Sequence, residues 1–374
     1  MIKRFQNKIA ESRFALIATI LLCLPAWLVS AWYMLAYGSC LIPEQSSPTH
    51  SLSPLTPHPT FNVLHSTSYV LLWGLLTLIS VFLIAELNNR NALIRIYSRM
   101  VSSCFLVMAT TLTITHWSAE RNVVTLATSL LFYLLFLTYQ DRKATGKVYY
   151  AFVSLSVASI FFPQILFFVP LLWLLMGTRL LSLSVKTFFA SILGLITPYW
   201  IILAYKAWAS YAVGTDTLTP IKTFFTEYVA DIAQFHSPIP YYYSIFVQPS
   251  FSLCSILHIA QYALPILCAI IGTVHYFRTK QQDHIKTQLL YESIVVVNIA
   301  AIIFMLAQPQ HIESLIGMII VTTAPLIAHF VALTHTRWTN RLTKLLLFLA
   351  LTITILSLIA PLIPTEICNS LLTF

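Results

Sequence analysis

Between Lys147 and Arg179 the chain reads VYYAFVSLSVASIFFPQILFFVPLLWLLMGT, residues 148–178 without a single charge. As one helix this stretch would be about 46 Å long at 1.5 Å per residue, against a hydrocarbon core of about 30 Å. As two complete spans it would need roughly 40 residues. Pro163 stands in its middle, where it removes a backbone donor and clashes with the preceding turn. The stretch therefore predicts two short helices, 148–162 and 164–178, meeting at Pro163 as a bent hairpin within the membrane.

Working outward, apolar runs of span length fall at 14–37, 66–87, 97–116, 122–140, 187–206, 253–277, 288–307, 312–333 and 343–362. With the short pair this predicts an all-α polytopic membrane protein of about 11 membrane helices, its N-terminus inside and its C-terminus outside. In that orientation the inner segments collect 18 of the 21 lysines and arginines, leaving Arg121, Lys206 and Lys222 outside. This is the asymmetry of the positive-inside rule. It holds only if 148–178 crosses twice, because one crossing would invert every later loop. A single long, tilted and kinked helix is the competing reading.

Only 9% of residues are charged while 58% are hydrophobic, and the mean hydropathy is +0.81. Soluble chains average about 25% charged residues, so a soluble globule is excluded. The net charge of +9 follows from membrane orientation and calls for no nucleic acid. The first apolar run lacks a small-residue cleavage site, which predicts a retained helix. A single helical membrane domain over 1–374 is expected, with two long outer loops. The first, 38–65, is rich in proline. The second, 207–252, contains an amphipathic segment at 220–235. There Thr219 and Pro220 supply a cap and a first-turn proline. Ile221, Phe224, Phe225, Tyr228, Val229, Ile232 and Phe235 share one face, with Lys222, Thr223, Thr226, Glu227, Asp231 and Gln234 on the other. Such a helix lies along the bilayer surface.

No Walker loop, dinucleotide glycine pattern, zinc-protease helix or CxxC pair occurs. The candidates for chemistry are therefore scattered polar groups. Glu44 and Glu120 fall on the outer side, where a carboxylate can act as general base or bind a metal; both also read as ordinary loop acids. Glu227 and Asp231, four residues apart, could hold a divalent cation, or simply form a solvated face. Cys40 and Cys368 also fall outside, where a disulfide is chemically allowed and two separate thiols equally so. His258, His275 and His329 lie in or near spans, as proton relays or as packing residues. Glu86 and Glu292 fall within reach of Arg90 and of Lys280 or Lys286, as interfacial ion pairs. Arg90, Arg95 and Arg99 form an inner basic surface able to hold lipid phosphates, or merely set topology.

The segments AELNNRNALIRIYSRM (85–100), LSLSVKTFFASILGLITPYW (181–200) and PLIAHFVALTHTRW (325–338), with the quoted hairpin, resemble a family of polytopic inner-membrane proteins of Bacteroidota that has no assigned activity. That resemblance implies a bacterial inner, cytoplasmic membrane. The layout is also similar to that of C-type glycosyltransferases: a short in-membrane pair with proline at its outer apex, a basic inner loop (Arg179 to Lys186), and a span ending in Pro198-Tyr199-Trp200. Those enzymes use a polyprenyl-phosphate sugar donor and place acids in the first outer loops, where Glu44 and Glu120 are the matching positions. Gln164 stands where a basic residue is usual near the apex.

Three function classes follow. One is an enzyme, or a degenerate relative, handling a lipid-linked sugar at the outer face, with Arg121, Lys206, Lys222 or Gln164 holding donor or phosphate. Another is a non-catalytic subunit whose surface helix docks a membrane or periplasmic partner. Solute transport ranks third, because no span carries a charge near its centre.

Overall fold

The computed structural model describes residues 12, 14–37, 63–96, 98–113, 118–213, 218–233, 238, 253–334 and 336–359. Among the described residues all regular structure is helical, and seven helices are long and apolar enough to cross a membrane. The helices are α1 (Ala15–Tyr37), α2 (Val63–Asn91), α3 (Met100–Thr113), α4 (Ala119–Phe136), α5 (Thr145–Phe161), α6 (Val169–Thr178), α7 (Val185–Val213), α8 (Leu218–Ala233), α9 (Leu253–Thr279), α10 (Ile285–Ala307), α11 (Ile312–Leu333) and α12 (Arg337–Ile359). The seven long apolar ones are α1, α2, α7 and α9 to α12, while α3 and the 163–178 segment are shorter apolar helices.

By its internal packing the chain divides into two compact units. The first runs to Thr125 and resumes at Pro238, and the second holds Leu126–Ser237. In the first, α11 is buried along its whole length, with α3, α9 and α10 against it. A helix apolar all round needs such a position. Its closest neighbour is α9, because Gly272 has no side chain: a Cβ there would stand 2.7 Å from the Leu326 carbonyl carbon and 2.9 Å from the Ile327 nitrogen. Without a hydrophobic driving force between helices in lipid, close backbone approach at small residues is the main source of such association. On the far side of α3 lie α1 and α2.

In the second unit the expected bend is present. α5 ends at Phe161, residues 163–168 form a tight 3₁₀ turn beginning with Pro163, and α6 follows. The two flanks of this stretch meet. The Gln140 N–H donates to the Leu180 carbonyl (2.9 Å), and the Ser184 hydroxyl to the Arg142 carbonyl (3.0 Å). The lengths agree with that closure: the 17 residues of α5 rise about 25 Å, and the turn plus α6 return about 27 Å. The chain goes out and back, and Lys147 anchors the near end by donating to the Leu137 carbonyl at 3.1 Å. α7 then packs along α5, where Gly194 lets the two backbones touch; a Cβ there would stand 2.5 Å from the Tyr149 carbonyl oxygen. Ser156 donates to the Leu195 carbonyl at 2.6 Å, and Trp173 of α6 to Ser191 at 2.9 Å.

Element ends differ from expectation for local reasons. α4 starts at Ala119 rather than 122 because the Ser118 hydroxyl accepts the Arg121 N–H at 3.3 Å, capping the first turn. α7 runs on to Val213, so the loop expected from 207 begins as helix.

Candidate functional site

The second unit gathers several of the polar residues singled out from sequence. Gln164, buried at the bend, donates to the Asp231 carbonyl of α8 at 2.9 Å. Three residues earlier on α8, the Tyr228 hydroxyl bonds Tyr199 of α7 and donates to the Ser159 carbonyl at 3.1 Å, while Ser159 also bonds Tyr199. Burial, and then the adjoining Tyr199 hydroxyl, push the Tyr228 phenol above its ordinary range. Lys206 lies over the Phe224 ring at 5.1 Å, a cation–π contact. The buried stripe of α8 is thus Phe224, Tyr228 and Asp231. This corrects the expected faces: Asp231 belongs to the buried side, while Phe225 and Val229 are exposed. The reason is docking on Gln164, which turns the helix toward its hydrogen-bond partners. Lys222 and Glu227 are exposed, so Glu227 and Asp231 occupy unlike surroundings. Among the described residues no group of three or more histidine, cysteine or acidic side chains is placed to hold a metal. Glu44, Cys40 and Cys368 lie outside the described residues.

Glu120 and Arg121 belong to the first unit. Glu120 opens α4, where a carboxylate complements the helix dipole, and it accepts a 2.6 Å hydrogen bond from Ser314 at the start of α11. Arg121 is buried. The expected surface pairs are present: Arg90 with Glu86 at 2.6 Å, and Lys280 with Glu292 at 3.7 Å.

The densest polar constellation is one that sequence did not single out as a unit. α9 ends at Thr279, a short 3₁₀ turn spans Lys280–Gln282, and Asp283 follows in an extended conformation. That geometry turns its carboxylate inward, with none of the side chain exposed. Oδ1 receives Arg95 Nε at 2.6 Å and Oδ2 faces His329 Nε2 at 3.2 Å. His329, in the last turns of α11, is itself wholly buried. Gln288 donates to the Asp283 carbonyl at 2.8 Å and Tyr276 to the Gln288 carbonyl at 2.9 Å, which fixes the loop against α9 and α10. Around His329 stand His275 (ring centroids 5.4 Å apart), Tyr291 (5.0 Å) and Tyr276 (6.2 Å). His275 Nε2 and His329 Nδ1 are buried without a hydrogen-bond partner among the described residues.

Burial alone would raise the Asp283 carboxyl, but the hydrogen bonds and charges of His329 and Arg95 outweigh it and hold the group below its ordinary value. The carboxylate is therefore ionised, with Arg95 offsetting its charge and the His329 ring beside it. Comparison with protein-family models, curated proteins and solved structures gives no match to the chain. The site must be read from its own chemistry.

Further along α11 the interior carries a second polar station. Asn298 of α10 donates to Thr322 (2.7 Å) and Thr323 (2.9 Å), and its Oδ1 is buried without a partner among the described residues. With Ser314 at the start of the helix, the buried polar side chains of α11 fall at 314, 322–323 and 329. At 1.5 Å per residue the steps are about 12 Å and 10 Å. An isolated pair of histidines in two spans is visible in sequence. The carboxylate that meets His329 from 46 residues away is not.

Proposed function

We propose that this chain is a multi-pass carrier that moves a small polar solute across a bacterial inner membrane in step with protons, with His329 taking and releasing the proton beside the ionised Asp283 carboxylate. The observation that carries the reading is the wholly buried Asp283–His329 pair beside a second imidazole nitrogen that has no partner among the described residues. Ionisable groups buried at the end of a span are expensive to keep there, and such groups mark ion and proton paths. Support comes from the stations at Ser314 and Asn298–Thr322–Thr323 along the same buried helix. The N-terminus is taken as inside, which sets the Asp283 end on the cytoplasmic face, as the distribution of lysine and arginine favours.

The test is reconstitution in proteoliposomes containing a pH-sensitive dye, with amino-acid, sugar and organic-acid solutes offered in turn under an imposed gradient. Solute-dependent proton uptake is expected in the native chain and lost in His329→Ala and Asp283→Asn. Uptake that survives both substitutions would remove the pair from the mechanism.

A second reading, an enzyme of C-type glycosyltransferase layout acting on a lipid-linked sugar, draws on the out-and-back course of 145–178. Its acids would be Glu44 and Glu120, the latter already accepting the Ser314 hydroxyl.

A further inference from the structure

A half-open groove of about 380 Å³ lies where α1, α2 and α3 meet, within the first unit. One wall is a single face of α2, with Leu78, Phe82, Glu86 and Asn89 at helical spacing and Val81 and Ala85 beside them. Leu78 and Phe82 are 56% and 66% exposed, so the groove opens sideways toward lipid. Leu16 of α1 faces it. Along α2 the lining changes character abruptly. It is apolar from 78 to 85, over about 10 Å, and polar from 86 to 89. Arg99, just before α3, and Ser102 of α3 complete the polar end. This is the profile of an amphiphile standing along the helix, chain against Leu78–Ala85 and headgroup at Glu86–Arg99.

The polar end has a sign on each side. Arg99 is an exposed guanidinium, suited to a phosphate. Asn88, 93% buried, braces the polar end: its amide nitrogen donates to the Ser98 carbonyl at 3.0 Å, just before Arg99. Glu86 uses Oε1 for Arg90 and retains Oε2 as a second acceptor beside it. A phosphate alone offers no donor to these oxygens, whereas an ammonium group offers three.

We propose that this groove binds a phospholipid whose headgroup carries a primary amine, such as phosphatidylethanolamine. Arg99 takes the phosphate, Glu86 takes the ammonium, and the 78–85 face of α2 takes an acyl chain. The proposal is independent of proton coupling, since none of these groups belongs to the Asp283 cluster.

Native mass spectrometry of the delipidated full chain tests it, with phosphatidylethanolamine, phosphatidylcholine and phosphatidylglycerol of identical acyl chains. The choline lipid has the same phosphate and formal charge but no N–H donor. The ethanolamine lipid should bind about tenfold more tightly than the choline lipid. Glu86→Gln should erase that preference while leaving choline-lipid binding in place, and Arg99→Gln should weaken both lipids. Glu86 sits in an exposed surface pair, so its variant keeps the fold. Equal binding of ethanolamine and choline lipids would overturn the proposal, because the amine is then not read. Tighter binding of the glycerol lipid would overturn it too, reducing the groove to a basic patch for anions.

Discussion

Asp283→Ala removes the one carboxylate that joins Arg95 to His329. Taking away one partner of a buried ion pair costs about 3–5 kcal/mol, because the remaining charge stays buried and unpaired. Arg95 keeps 34% of its side chain exposed and can regain water, which places the loss near the lower end, about 3 kcal/mol. For a unit of this size 1 kcal/mol corresponds to about 2–4 °C, so the melting temperature in detergent should fall by roughly 6–12 °C. Asp283→Asn preserves the shape and an acceptor for Arg95, and should lose less, about 1–2 kcal/mol. The pH dependence has a definite sign. The folded carboxyl lies below its unfolded value of 3.8, so the unfolded chain binds more protons in acid. Its contribution is complete above about pH 5 and fades as pH drops through the folded value. The gap between native and Asp283→Asn melting temperatures should be flat from pH 8 to 5 and shrink toward pH 3. A melting temperature for Asp283→Ala within 1 °C of native, or a gap that widens on acidification, would refute this account of the pair.

Two further outcomes follow from the second unit. Tyr228→Phe and Gln164→Leu each remove a hydrogen bond that docks α8, so amide exchange in 218–233 should quicken about tenfold while α5 and α7 stay protected. Single cysteines at 141–147 and 179–186 should label from the same side of the membrane, since Gln140 bonds Leu180 and Arg142 bonds Ser184; opposite-side labelling would mean that the out-and-back path is wrong.

How much of this was legible in the chain depends on the range of the interactions involved. The bend at Pro163, the surface pair Glu86–Arg90 and an amphipathic α8 all follow from spacing within one or two turns, while Lys280 and Glu292 meet across a turn between two elements. The faces of α8 were not legible, because Asp231 is carried inward by a hydrogen bond to its backbone from a residue 67 positions earlier. Its side-chain polarity gave the opposite signal. Asp283 is the sharper case. In sequence it stands in a loop among Arg278, Lys280 and Lys286, and reads as one more solvated charge. Its burial is set by an extended backbone after the 280–282 turn, by Gln288 holding its carbonyl, and by Arg95 arriving from 188 positions away. No span carries a charge near its centre; instead a loop acid meets the end of a buried helix.

That placement bears on whether the cluster exists for stability or for protons. A buried ion pair is a poor stabiliser, since desolvation absorbs most of what attraction returns; well-packed apolar replacements are commonly neutral, or more stable by about 1–4 kcal/mol. The orphan nitrogens of His275 and His329 add to that burden, as each is a polar atom without a partner among the described residues. The triple variant Arg95→Met, Asp283→Leu, His329→Phe separates the two roles. If the cluster serves only packing, this variant and the native chain should behave alike in every respect but melting temperature. If it serves proton coupling, the variant should melt at or above the native temperature and yet carry no proton with solute in liposomes. Loss of stability together with loss of uptake would show the cluster to be a structural lock. Stable folding without uptake is the outcome the buried geometry predicts.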